Sequence, residues 1–131
     1  MVDPDAFQTW LDAYSRAVEA RNADQLAKVF SVSAHFLKTP FDRALEGRDA
    51  ICREYEASWS RLERGVFEIK RIGDGWAHWS QGGTIIALDE PWRADGILKA
   101  ELNEAGLCTR LTLWTETLSV READMLAQRD A

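Results

Sequence analysis

The stretch DGILKAELNEAGLCTRLTLWTETL, Asp95–Leu118, decides the fold class. In its first arm Leu98, Ala100 and Leu102 alternate with Ile97, Lys99 and Glu101. In its second, Leu107, Thr109, Leu111, Leu113 and Thr115 alternate with Cys108, Arg110, Thr112, Trp114 and Glu116. A period of two in β-branched and aromatic residues is that of a strand, and the Asn103–Gly106 break predicts a hairpin. One face is apolar and the other mixed, as in a sheet that lays one side against helices.

Working outward, Val66–Ile72 and Trp76–Ala87 read as two more strands joined by a tight turn at Gly73-Asp74-Gly75. Gly82-Gly83 marks a bulge or bend in the second, and a loop, Asp89–Arg93, leads to the hairpin. The other half is helical. Asp3-Pro4 opens a first helix, with Asp as cap and Pro at the first helical position. Phe7, Trp10, Leu11, Tyr14, Ala17 and Val18 form its single apolar stripe. Asn22 ends it and caps a short second helix carried by Leu26, Val29 and Phe30, with Gln25 completing a capping box. His35–Thr39 is extended and stops at Pro40. The third helix starts after Gly47, carries Ile51, Tyr55, Trp59 and Leu62 on one face, and ends at Gly65. Ser119-Val120-Arg121-Glu122 spells a further capping box and predicts a short closing helix. The order helix, helix, strand, helix, four strands is that of one α+β domain over 1–131.

With 131 residues, 46% hydrophobic and 29% charged, the chain has room for one sizeable core. A net charge of -6, with basic residues scattered among acids, argues against nucleic acid as a partner. The opening Met-Val-Asp-Pro-Asp has neither a basic nor an apolar leader region, and no apolar run approaches a membrane span. Cys52 and Cys108 lack metal-site spacing and read as reduced thiols; His35 and His78 are too isolated for a zinc site. A cytoplasmic protein without metal or cofactor is expected. Six tryptophans signal either heavy packing or an aromatic-lined cavity.

Three segments then carry a family likeness: YSRAVEARNADQLAKVF (Tyr14–Phe30), TPFDRALEGRDAI (Thr39–Ile51), and DGIL (Asp95–Leu98) before a hairpin ending in LTLW. In this order the chain resembles the nuclear transport factor 2-like superfamily, with its SnoaL-like and ketosteroid-isomerase-like members, from about Phe7 to Leu118. The resemblance implies a cystatin-like cone, in which a curved, mostly antiparallel sheet wraps three N-terminal helices and leaves an apolar pocket at one end. It implies homodimers packed through the outer sheet face. Function in the family ranges from isomerases, dehydratases, cyclases and epoxide hydrolases to proteins that only bind or scaffold, so fold does not settle it. The ketosteroid isomerase pattern lies on this chain from Tyr14 to Lys38 without gaps. Its oxyanion tyrosine falls on Tyr14, its general-base aspartate on Lys38, and its second donor on Leu98. Two of three positions depart from it, so that mechanism is not implied.

Each candidate has two readings. Tyr14 is a core tyrosine or a pocket-facing donor. Lys38 shares strand parity with Phe36; it lies at the pocket as anion partner, base or Schiff-base nucleophile, or rests its stem on apolar surface with its head in water. Asp95 is a pocket acid or part of an Asp-Gly turn. Tyr55, Trp59 and Trp79 are expected pocket walls, together with Phe36, Leu98 and Leu113. His35 and His78 fall on the opposite strand faces, Glu116 on the outward Trp114 face, and Arg61–Arg64 on a solvated helix end. The leading expectation is a cofactor-free, dimeric domain binding a small apolar or weakly anionic molecule. The alternatives are an isomerase or lyase using Tyr14 with Lys38 or Asp95, and an interaction module whose cone is filled by its own side chains.

Overall fold

Six apolar residues at helical spacing are enough to dock the first helix. Phe7, Trp10, Leu11, Tyr14, Ala17 and Val18 are all buried in the computed structural model, which describes residues 5–63 and 65–118. Asp3-Pro4 and the tail from Ser119 lie outside the described residues. The first helix, α1 (Ala6–Ala20), ends at Arg21 in the left-handed region, whose amide reaches back to the last turn. Asn22 caps α2 (Ala23–Ala27): its side-chain oxygen accepts from the Gln25 amide at 3.1 Å. Then follow β1 (Phe30–Leu37), β2 (Leu45–Glu46), α3 (Arg48–Arg61), β3 (Phe67–Gly73), β4 (Trp76–Ile85), β5 (Glu90–Leu102) and β6 (Cys108–Leu118).

The strands form one six-stranded sheet in the order β2-β1-β6-β5-β4-β3, antiparallel throughout except where β1 pairs with β6. That is the expected α+β architecture, a mostly antiparallel curved sheet around the helices. The inner face joins the stripe of α1 in a single core that includes Phe30, Phe36, Ile51, Ala77, Trp79, Leu98 and Leu111. Each large side chain so buried contributes roughly 1.5–3 kcal/mol of transfer free energy. Among the described residues, no helix is long and apolar enough to cross a membrane.

Five local readings change. The first strand begins at Phe30 rather than His35, so Phe30 leaves the second helix and is fully buried in the sheet. The two-residue β2 pairs Leu45 with Phe36 and carries too short a pattern to be visible beforehand. Asp89–Arg93 is not a loop: β5 starts at Glu90 and the turn lies at residues 86–89, with Asp89 at φ 50°. Pro91 is tolerated because it precedes Arg93, where the pairing of β5 with β6 begins. Gly82-Gly83 makes no bulge, since β4 pairs with β5 in unbroken register from Trp76 to Ile85. The pair instead admits another backbone: the Gly82 amide bonds the Val66 carbonyl at 2.8 Å, and a Cβ on Gly83 would lie 2.8 Å from the Glu63 carbonyl oxygen.

The fifth change falls in the deciding hairpin. Its turn forms as expected, with Asn103 Oδ1 accepting from the Ala105 and Leu107 amides at 3.0 Å each and Gly106 at φ 80°. Glu101 pairs with Arg110 but Leu102 pairs with Cys108, so Thr109 is an extra residue. This bulge reverses the parity at one point. Cys108, expected outside, is therefore fully buried on the inner face with Leu111.

Candidate functional site

The inner ends of β1, β5 and β6 and one side of α3 bound an open cleft of about 560 Å³. Seven of the nine residues singled out from the sequence line it. Tyr14 comes from α1, Phe36 from the end of β1 and Lys38 from just beyond it, Tyr55 and Trp59 from α3, Trp79 from β4, and Leu113 from β6. The other two do not. Leu98 is fully buried in the core beside the cleft. Asp95, read as a possible pocket acid, lies on the opposite sheet face, because its neighbour Ala94 is the residue that points inward. Its carboxylate contacts His78 Nε2 there. Two other depressions, about 350 and 380 Å³, contain none of Tyr14, Lys38 or Asp95.

The cleft is aromatic because two helices present their stripes to it. Ile51, Tyr55 and Trp59 recur every four residues on α3, so the rings stand in a row. Tyr55 packs at 5.5 Å from Phe36 and 5.9 Å from Trp59, ring centre to ring centre, and meets Tyr14 edge-on at 6.2 Å. Behind Tyr14, Trp10 stacks at 4.9 Å and donates its Nε1 hydrogen to the buried Val29 carbonyl at 2.9 Å.

The two phenols meet at 2.6 Å between oxygens. One hydroxyl must donate to the other, so one hydrogen of the pair is spent and one is left for a third group. Burial pushes the Tyr14 phenol up to about 12, partly opposed by its bond to Tyr55; burial also raises Tyr55 well above the usual range. Both are therefore neutral donors at physiological pH. Trp79 supplies another unspent donor, for its buried Nε1 has no partner among the described residues.

Lys38 does line the cleft, but its ammonium is in contact with the Glu54 carboxylate, one helical turn along α3 from Ser58. Glu54 was not visible as a site residue, since it falls outside the apolar stripe of its helix. Arg61, exposed at the helix end as expected, also lines the cleft, and so does Trp92, which lies in β5 rather than in a loop. The i, i+4, i+7 spacing of Glu54, Ser58 and Arg61 is the signal that could have placed them on one side of α3. Both cysteines are free thiols, and burial raises Cys52 and, to about 12, Cys108, which keeps them protonated. Among the described residues, no three His, Cys, Asp or Glu side chains converge as a metal site.

No protein-family model and no curated protein matches this sequence. Solved structures do resemble the fold. One is a nuclear transport factor 2-like protein of unknown function from Exiguobacterium sp. 255-15, with TM-score 0.69 and 19% identity over 82% of this chain and 98% of that one. Another is a Mycobacterium tuberculosis protein in complex with estradiol-17beta-hemisuccinate, with TM-score 0.68 and 10% identity over 89% and 96%. A third is a steroid delta-isomerase from Pseudomonas aeruginosa, with TM-score 0.64 and 9% identity over 97% and 89%. At such identities the likeness carries architecture and no activity. The chain has the fold of the nuclear transport factor 2-like, cystatin-like proteins.

Proposed function

We propose that this chain binds a small, flat, largely apolar molecule whose oxygen acceptor is held by the Tyr14–Tyr55 pair. The observation that carries the reading is an open aromatic cleft of about 560 Å³ with two coupled phenols in its wall. Apolar clefts of several hundred cubic ångströms with a few convergent polar groups are the usual form of small-molecule sites. The unspent hydrogens, one on the phenol pair and one on Trp79 Nε1, are all donors, so the complementary ligand brings acceptors. A chain of the same fold has been seen in complex with estradiol-17beta-hemisuccinate, and the fold thus admits ligands of this kind. The open volume favours binding over an interaction module with a filled cone. An isomerase or lyase would need a free base in the cleft; Asp95 lies on the other face and Glu54 is held by Lys38, so binding is the better reading.

Assembly as a homodimer through the outer sheet face belongs to the same proposal. Trp76, Ile97 and Trp114 are 36–38% exposed there, and the two indoles lie 5.6 Å apart. A contiguous apolar patch of this kind favours an interface. Sedimentation should give a dimer at tens of micromolar protein, and a monomer at that concentration would remove this part of the proposal.

The binding reading is tested with neutral probes, a panel of fused-ring aromatic primary amides, by calorimetric titration. Wild type should bind members of the panel, and Trp79→Ala should weaken them by roughly 1–3 kcal/mol through lost packing. No binding by wild type, or equal binding by Trp79→Ala, would mean that the cleft is not the site.

A further inference from the structure

We propose that Arg61 is the residue that reads ligand charge in this cleft, and that the ligand is an apolar monocarboxylate seated on its guanidinium. This deepens the binding reading and rests on it. Among the described residues, three charged side chains line the cleft: Lys38, Glu54 and Arg61. Lys38 and Glu54 are in contact and offset one another. No ion pair among the described residues includes Arg61. Two cations less one anion leave a single positive charge on this wall, in a chain whose net charge is -6. In an acidic protein a local positive excess draws anions toward it.

The plain reading of an arginine in the last turn of a helix is that it complements the unsatisfied carbonyls there. That role is already filled. Arg21, reaching across from the end of α1, donates to the carbonyls of Trp59 and Leu62 at 2.8 and 2.7 Å. The Arg61 backbone is meanwhile pinned to the sheet: its carbonyl accepts from the Ile86 amide at 3.1 Å, and the Glu63 amide donates to Thr84 at 2.8 Å. The side chain thus starts from a fixed point beside the cleft, with its charge uncommitted.

Tyr55 and Arg61 both line the cleft from α3, so a fused ring system carrying an oxygen and a carboxylate can address both. A carboxylate matches the planar guanidinium fork in two parallel hydrogen bonds. One unpaired cation also balances one negative charge, whereas a phosphate dianion would leave a charge uncompensated against aromatic walls.

The probes are 6-methoxy-2-naphthylacetic acid and its primary amide, titrated calorimetrically at neutral pH. Wild type, Arg61→Met and the double variant Lys38→Met/Glu54→Gln are compared, with circular dichroism checking the fold of each. The acid should bind wild type more tightly than the amide. Arg61→Met should weaken the acid about tenfold, the size of one charge-assisted hydrogen bond, and leave the amide within about twofold. The double variant Lys38→Met/Glu54→Gln removes the neutral pair whole and should preserve the acid's advantage, because Arg61 still leaves one positive charge on the wall. Loss of the advantage in Lys38→Met/Glu54→Gln, or equal losses for acid and amide in Arg61→Met, would overturn the assignment. If the amide binds wild type and the acid binds no better, the cleft remains the site and Arg61 is not its charge reader. If neither binds, the binding reading falls and this inference falls with it.

Discussion

Replacing Gly96 with alanine is expected to cost more than about 3 kcal/mol of stability and to disorder the cleft wall as well. Gly96 faces inward on β5, paired with Trp79 on β4 and Thr115 on β6. A Cβ built there would stand 2.0 Å from the Trp114 carbonyl oxygen and 2.8 Å from the edge of the Trp79 indole. A backbone carbonyl in mid-strand cannot swing aside as a flexible side chain can, so β5 and β6 must separate or Trp79 must move. Either change breaks close packing at the floor of the cleft. Gly82→Ala is the control, because its added methyl meets nothing nearer than a carbonyl oxygen at 3.7 Å. Thermal unfolding followed by circular dichroism should place Gly96→Ala roughly 10 °C or more below wild type and Gly82→Ala within a few degrees of it. Equal melting of the two variants would show that the close approach at Gly96 is not a constraint.

The fold was legible wherever one periodicity ran without interruption. The α1 stripe from Phe7 to Val18 is buried at every expected position; of the inward set of β5, Leu98 and Ala100 are buried and Leu102 partly so. Alternation failed at Thr109, where a single extra residue puts Cys108 on the inner face. A bulge has no composition of its own, since the parity on both sides of it is regular. The Asp89–Arg93 segment misled for a different reason: Pro and acidic residues read as a turn, but β5 runs past the first β6 pairing at Arg93, so its early residues need no second partner.

Much of the site could be read because its walls are also core. Phe36, Tyr55, Trp59 and Trp79 lie on apolar faces that must look inward, whichever molecule they meet. The polar members were harder to place. Lys38 was found by parity, but its neutralisation by Glu54 depends on a loop closing onto a helix, which no local pattern records. Arg61 was set aside as part of a solvated helix end. Its availability follows from Arg21, forty residues earlier, taking the carbonyls. Neither reading of Asp95 holds, pocket acid or Asp-Gly turn: the chain continues there as strand, and Asp95 shares the outward parity of Ile97.

Trp10→Ala should be the most damaging substitution in α1, at roughly 3–5 kcal/mol, and should also change how the two phenols titrate. The indole is buried, stacks on Tyr14, meets Phe30 edge-on at 6.4 Å and ties α1 to the end of the α2–β1 turn through Val29. Trp10→Phe should cost much less, since the Val29 carbonyl still accepts from the Cys108 amide at 2.8 Å and is not orphaned. The chain has two tyrosines and both belong to the cleft pair, so phenolate absorbance near 295 nm reports that pair alone. In the folded protein the phenols should remain protonated well above pH 10, with Tyr14 titrating near 12, whereas in concentrated guanidinium both should titrate near 10. The sign follows from proton counting. Between pH 10 and 12 the folded state holds protons that the unfolded state has lost, so stability is fully present below 10 and falls as pH rises toward 12. For Tyr14 that window carries on the order of 2–3 kcal/mol. Removing Trp10 opens the covered face of Tyr14 to water, which lowers the burial cost of its phenolate. Its titration should then begin at lower pH while the variant is still folded by circular dichroism. A native titration indistinguishable from that in guanidinium would mean that the phenols are neither buried nor paired, and would take the acceptor-binding role of Tyr14 and Tyr55 with it.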